Sequence, residues 1–148
     1  MIVYLDSSAI VKRYVLEEGT DIVQDAYSKA LQGEAKLAFS VWNVGEALGV
    51  LDIYRRRKWL KEKDYRIARE SFITETLRLI KIGLIKTIPV RTKLLTRSWS
   101  LIEKHHIYQA DALQLVSAKY ANADQLLSGD KKLVEISKEE GVKATYLG

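Results

Sequence analysis

Short apolar runs alternate along the chain with longer stretches whose apolar residues recur every three or four positions. Ile2–Leu5 is the first such run. It leads straight into Asp6-Ser7-Ser8, the sequence of a buried strand feeding a capped helix. Ala9, Ile10, Val11, Tyr14 and Val15 continue that helix, with Lys12 and Arg13 on its other side. Gly19-Thr20-Asp21 reads as a stop and a new start, and Ile22, Val23, Ala26, Tyr27 and Ala30 mark a second helix. The spacing then predicts a strand at Lys36–Ser40, a helix from Val41 to about Trp59 and a long helix from Lys61 to Ile82 closed by Gly83. A strand at Leu84–Val90 follows, then helices over Arg91–His106 and Gln109–Ala121. Ala123–Ser128 reads as a strand, Asp130–Glu140 as a helix and Lys143–Leu147 as a last short strand.

This alternation calls for an α/β fold class, a mostly parallel, short-stranded sheet flanked by helices on both faces. Sheets of that kind bind ligands beyond the carboxyl ends of their strands, where successive connections diverge. No internal repeat or low-complexity linker divides the chain, and 148 residues suit one core, so residues 1–148 read as a single domain.

Composition removes several chemistries. There is no cysteine, which excludes disulfides, thiolate zinc sites and a cysteine nucleophile. His105 and His106 are adjacent, so they offer neither a spaced metal site nor a Ser–His–acid set. They read as a helix end that complements the dipole. No apolar run is long enough to span a membrane, and the amino terminus lacks the basic start of a signal peptide. The expectation is a cytoplasmic protein with no membrane association. No glycine-rich phosphate loop follows any strand, and Ser8 stands where a dehalogenase-type phosphatase needs a second aspartate. Charge is uneven: from Asp52 to Arg97 there are 14 Lys and Arg against 5 Asp and Glu, whereas the remainder has 10 against 14. A basic middle between acidic flanks points to a polyanionic partner, with solvated helix faces as the plainer reading.

Four carboxylates stand in apolar or turn-like surroundings. Asp6 ends the first strand, Asp130 follows the strand that ends in Leu127-Ser128, Asp111 opens a helix, and Glu46 lies within Val44-Gly45-Glu46-Ala47-Leu48. Helix capping accounts for Asp6, Asp111 and Asp130 one at a time. Glu46 lies past the first turn of its helix, and a half-buried carboxylate there needs a Lys or Arg partner or some other cation. Taken together, two of the four lie at the sheet edge where a site is expected, and the other two sit on helices able to face it. Carboxylates converging there repel one another unless a divalent cation neutralises them, and oxygen ligands without His or Cys favour Mg²⁺ or Mn²⁺.

Ile2-Val3-Tyr4-Leu5-Asp6-Ser7-Ser8-Ala9-Ile10-Val11-Lys12 resembles the opening of PIN-domain nucleases, many of them VapC-type toxins of toxin–antitoxin pairs. Val44-Gly45-Glu46-Ala47-Leu48 is similar to the second acidic motif of that family, Ala110-Asp111-Ala112-Leu113-Gln114-Leu115 to the third and Leu127-Ser128-Gly129-Asp130 to the fourth. The ordered set is far more specific than any one motif. The resemblance implies a three-layer PIN-like domain that hydrolyses phosphodiester bonds of single-stranded RNA with Mg²⁺ or Mn²⁺. It makes Asp6 and Asp111 direct metal ligands, with Glu46 and Asp130 completing the shell directly or through water. Ser8 and Ser128 would orient Asp6 or a bound water, and both also read as ordinary turn hydroxyls. The resemblance further implies homodimers or higher homo-oligomers, and a small antitoxin protein covering the acidic groove. The apolar stretches Ile22–Leu31 and Phe72–Leu84 are candidate surfaces for either.

Arg55-Arg56-Arg57-Lys58 follows Glu46 on the same predicted helix, with Arg55 roughly 14 Å further along its axis. That reach suits phosphates a few nucleotides from a cut, and Lys61, Lys63, Arg66 and Arg69 extend the patch. Trp42, Trp59 and Trp99 are able to stack on bases, although core packing or an oligomer seam is the commoner role. Two other functions stay open from sequence: a housekeeping RNA-processing nuclease, and a catalytically silent RNA-binding or assembly module.

Overall fold

A computed structural model describes residues 1–148. Five strands form one fully parallel sheet: β1 (Ile2–Leu5), β2 (Lys36–Ser40), β3 (Ile85–Ile88), β4 (Gln125–Ser128) and β5 (Ala144–Tyr146), in the order β3-β2-β1-β4-β5. Parallel strands need crossovers, and helices supply all four. Between β1 and β2 run α1 (Ser7–Tyr14) and α2 (Thr20–Leu31); between β2 and β3, α3 (Val41–Arg56) and α4 (Glu62–Lys81). Between β3 and β4 run α5 (Thr92–His105) and α6 (Gln109–Tyr120), and α7 (Lys131–Glu139) leads to β5. The α/β reading of the sequence is therefore correct, and none of these helices is long and apolar enough to cross a membrane.

Two cores lie on the two faces of the sheet. Val3, Leu5, Leu37, Phe39 and Leu127 point toward α1–α4, where they meet Ile10, Val23, Tyr27, Leu51, Phe72 and Leu79. Tyr4, Ala38, Ile88, Leu126 and Ala144 point the other way, toward Leu94, Leu101, Leu113, Leu115 and Val134 of α5–α7. Strands buried on both faces must be apolar throughout, which is why β1, β2 and β4 read as continuous runs. The chain winds outward from β1 through β2 to β3, then returns across the sheet to β4. The strand order thus reverses between β1 and β4, and their carboxyl ends frame the crevice that such sheets use for ligands. Asp6 and Ser128 are the residues at those two ends.

One helix boundary departs from expectation. α3 stops at Arg56 rather than near Trp59, because Lys58 turns left-handed (φ 59°) and the Trp59 N–H returns to the Tyr54 carbonyl at 2.9 Å. The Tyr54 and Trp59 rings pack with centroids 5.5 Å apart, and Lys61 then caps α4. An aromatic pair five residues apart closes the turn without glycine.

Candidate active site

Asp6 is the N-cap of α1 and accepts the Ala9 N–H at 2.9 Å. It is 6 % exposed, so its remaining lone pairs need donors from within the protein. The Ser8 hydroxyl supplies one at 2.6 Å and the Ser128 hydroxyl another. Each serine is itself anchored by a backbone N–H: Ser8 Oγ accepts the Gly129 N–H across the crevice at 2.8 Å, and Ser128 Oγ accepts the Asp130 N–H in its own turn at 2.9 Å. The two sequence-predicted serines therefore lace the ends of β1 and β4 together around Asp6. Gly129 leaves room for this, since a Cβ there would lie 3.3 Å from Ser8 Oγ. Burial still pushes the Asp6 carboxyl above the ordinary aspartate value, the three hydrogen bonds pull it back in part, and the charge of Asp130 adds to the rise.

Asp130 is exposed and caps α7, one carboxylate oxygen accepting the N–H groups of Lys132 and Leu133 at 3.0 and 3.2 Å. Capping thus holds for Asp6 and Asp130. It fails for Asp111, which sits in the first turn of α6 with no side-chain cap bond. Asp111 is half-buried, and burial raises its pKa first, the Asp130 charge next, with Lys132 opposing both. Glu46 is also half-buried and raised by burial; the side chains of Trp42, Ser7 and Asn43 oppose the rise while the charge of Asp6 reinforces it. The Asn43 amide donates to Glu46 at 3.3 Å. The Lys or Arg partner that would explain Glu46 as an ion pair is not there, and neither Asp6 nor Asp111 forms a salt bridge.

A buried polar frame fixes the helices that carry these acids, and sequence reasoning missed it. The Tyr4 hydroxyl, on the strand that ends at Asp6, donates to Gln114 Oε1 at 2.8 Å and lies 3.2 Å from Asn43 Oδ1. The Ser40 N–H points at the same place, 2.9 Å from Asn43 Oδ1 and 3.2 Å from the Tyr4 oxygen. Asn43 stands three residues before Glu46 and Gln114 three residues after Asp111. Each shares a helix face with its acid. The readable signal was an amide residue three positions from each acid in otherwise apolar helix stretches.

The donor set fits a hard divalent cation in kind: all-oxygen ligands, three of them raised above their ordinary pKa and none of those three in a salt bridge. As they stand, no three are gathered closely enough to hold one ion. Asp6, Ser8, Ser128 and the Asp130 backbone are joined directly, whereas Glu46 and Asp111 reach the group only through their fields.

The remaining candidates fall outside this cluster. His105 pairs with Glu139 and Glu140 at 3.6 and 3.5 Å, at the opposite end of α7 from Asp130, and His106 is the left-handed cap of α5. Arg55 and Arg56 both bind Asp52, Arg55 also stacks over Tyr65, and Arg57 lies over Trp59. Only Lys58 of that run is without such a partner. Trp42, Trp59 and Trp99 are 48 %, 63 % and 57 % exposed, so none packs in the core as expected. The largest concavity, about 740 Å³, is lined by Met1, Asp124, Gln125, Lys143, Ala144 and Thr145 and contains none of the site residues.

Solved structures with the same fold share little sequence. The Rickettsia felis VapBC2 complex, bound to a DNA fragment from its promoter, is 15 % identical with a TM-score of 0.58 over 100 % of both chains. The Mycobacterium tuberculosis VapC20 toxin, described as cleaving the sarcin–ricin loop, is 11 % identical with a TM-score of 0.62 over 95 % of both chains. FitAcB of Neisseria gonorrhoeae is 17 % identical with a TM-score of 0.64 over 97 % of this chain and 96 % of its own. No curated protein sequence matches. The profile of the PIN domain, in contrast, matches residues 3–139, from the first strand through the helix that Asp130 caps. That match covers nearly the whole chain and the parallel α/β sheet agrees with it: the chain belongs to the PIN domain family.

Proposed function

We propose that this protein is a Mg²⁺- or Mn²⁺-dependent endoribonuclease that hydrolyses single-stranded RNA in the cytoplasm as the toxin of a toxin–antitoxin pair. The observation that carries the reading is Asp6: a carboxylate buried at the switch point of the sheet and raised by burial, with the charge of Asp130 adding to the rise and no salt bridge to a basic side chain. A structure that needed only a helix cap would not bury the charge and then surround it with others.

Asp6 and Asp111 would hold the cation, with Glu46 and Asp130 completing its shell. When bound, the cation lowers the pKa of a water and neutralises charge that develops on the phosphate. The chain does the rest. Ser8 and Ser128 hold the Asp6 carboxylate in one orientation through hydroxyls that are themselves fixed by backbone N–H groups. Burial and the charges of neighbouring acids disfavour the ionised forms of Asp111 and Glu46, a cost that a bound cation would offset. Tyr4, Asn43 and Gln114 keep α3 and α6 in register so that both acids face the same crevice.

Lys58 and Arg57, at the exposed α3–α4 turn, are the cations of the basic run best able to reach phosphates. Arg55 and Arg56, each held by Asp52, contribute less. The VapBC2 and FitAcB structures support an antitoxin partner, and exposed Leu31, Leu77 and Ile82 supply apolar surface for it or for a second copy of the chain. The test is cleavage of end-labelled single-stranded RNA with Mg²⁺ or Mn²⁺, beside EDTA, Asp6→Asn and Asp111→Asn controls. Cutting that disappears in all three controls supports the assignment. Cutting that survives Asp6→Asn overturns it.

A further inference from the structure

Each of the two helices that present an acid to the crevice also carries an exposed aromatic residue one turn nearer its amino end. On α3 it is Trp42, four residues before Glu46 and 48 % exposed. At the start of α6 it is Tyr108, three residues before Asp111 and 84 % exposed. Both are aromatic rings open to solvent about one helical turn from an acid of the proposed site.

Their mounting is rigid. The Trp42 N–H donates to Ser40 Oγ at 3.1 Å inside a capping box with Asn43. The Tyr108 carbonyl accepts the N–H groups of Asp111 and Ala112, both at 3.1 Å, which fixes the backbone that carries its ring. The frame around Tyr4 ties the two mounts together, since its hydroxyl meets Asn43, next to Trp42, and Gln114, six residues beyond Tyr108 on the same helix. Six residues are about 9 Å of helix. The two mounts are therefore tied through one frame, each within about one helical turn of its acid along the chain.

We infer that Trp42 and Tyr108 are base-stacking subsites, which hold unpaired nucleobases on either side of the scissile phosphate. The inference rests on the proposed ribonuclease function. Stacking suits this site chemically. Acids repel the phosphate backbone, so the grip on either side of the cut comes from the uncharged face of the nucleotide. A ring face accepts any base and rejects a paired one.

The test is binding of an eight-nucleotide oligoadenylate in the Asp6→Asn background, so that the strand stays intact, read by fluorescence anisotropy across a salt series. Trp42→Ala and Tyr108→Ala are each expected to weaken binding about 5- to 100-fold with an unchanged salt slope, because no phosphate contact is lost. Trp42→Phe and Tyr108→Phe keep a ring and are expected to bind nearly as the parent does. Trp99→Ala removes an equally exposed indole elsewhere and is expected to change nothing, and a melting curve for each variant verifies folding. Equal affinity of the parent and both alanine variants overturns the stacking assignment and leaves the ribonuclease reading standing. Failure of the parent itself to bind any RNA overturns the ribonuclease reading instead. Alanine variants that bind RNA normally but lose a co-expressed small protein partner also overturn the assignment, and make the two rings a protein-docking surface.

Discussion

Asp6→Asn is expected to stabilise the metal-free protein while abolishing its activity. Asparagine caps helices about as well as aspartate, so the bond from the Ala9 N–H is retained. Its amide oxygen accepts from Ala9 and Ser8, and its NH₂ group donates to Ser128 Oγ, whose hydroxyl is free to rotate. What disappears is a buried negative charge whose pKa burial has raised. A raised pKa means that the folded state binds the proton more tightly than the unfolded chain. The ionised form then subtracts stability, and the loss grows as pH rises from the ordinary aspartate value through the folded one. The three donors around Asp6 offset only part of the desolvation, so the neutral side chain is expected to gain about 1–2 kcal/mol at neutral pH, the scale of an ordinary single substitution. For a chain of this size that is roughly 2–8 °C in Tm. Melting curves of both proteins in EDTA, from pH 4 to 8, are the assay. The gap should open as pH rises and should narrow for the parent when Mg²⁺ is added, because binding to the folded state alone is stabilising. If Asp6→Asn melts several degrees lower at pH 7 without metal, the carboxylate is a structural cap and the electrostatic reasoning fails.

Three other perturbations separate frame from chemistry. Tyr4→Phe leaves Gln114 and Asn43 without their shared hydroxyl and should cost about 1–3 kcal/mol, with a weaker apparent affinity for Mn²⁺ by titration; unchanged stability would mean that the frame is idle. Glu75 is raised by burial but pulled lower overall by Arg13 and Tyr14, which bind it at 2.9 and 2.8 Å. Its contribution is therefore present above the ordinary glutamate value and is lost as pH falls through the lower folded one, and Glu75→Gln should remove that acid-side loss in denaturation curves. Gly19→Ala should unfold the protein or lower its Tm sharply. Gly19 has φ +86° and a Cβ there would lie 2.3 Å from the Leu147 carbonyl oxygen, so tolerance of alanine would show that the packing of the carboxyl terminus against α2 is wrong.

The sequence carried the sheet, the helices and the acids for a common reason. Strands buried on both faces must be apolar, as Val3-Tyr4-Leu5 and Leu126-Leu127 are, and acidic residues at helix starts are legible as caps, as Asp6 and Asp130 prove to be. What it hid depends on distant partners. Tyr4 reads as one more strand residue, and only the approach of Asn43 and Gln114 makes it a hub. Three tryptophans look like core by composition, yet all are exposed, and the largest fully buried side chains are tyrosines and phenylalanines. Arg55 and Arg56 look free until Asp52 is seen beneath them. Strand order, and with it the placing of Asp6 beside Ser128, is set by pairing across more than a hundred residues that no local pattern reports.

The central claim is that the carboxylates at the β1–β4 crevice are a divalent-metal centre. Anomalous diffraction from crystals grown with Mn²⁺ tests it most directly. The account predicts a peak in contact with Asp6 and Asp111, with Glu46 and Asp130 drawn in around it, and no such peak in Asp6→Asn crystals. A well-ordered crevice without a peak at saturating Mn²⁺, or a peak elsewhere only, would contradict it.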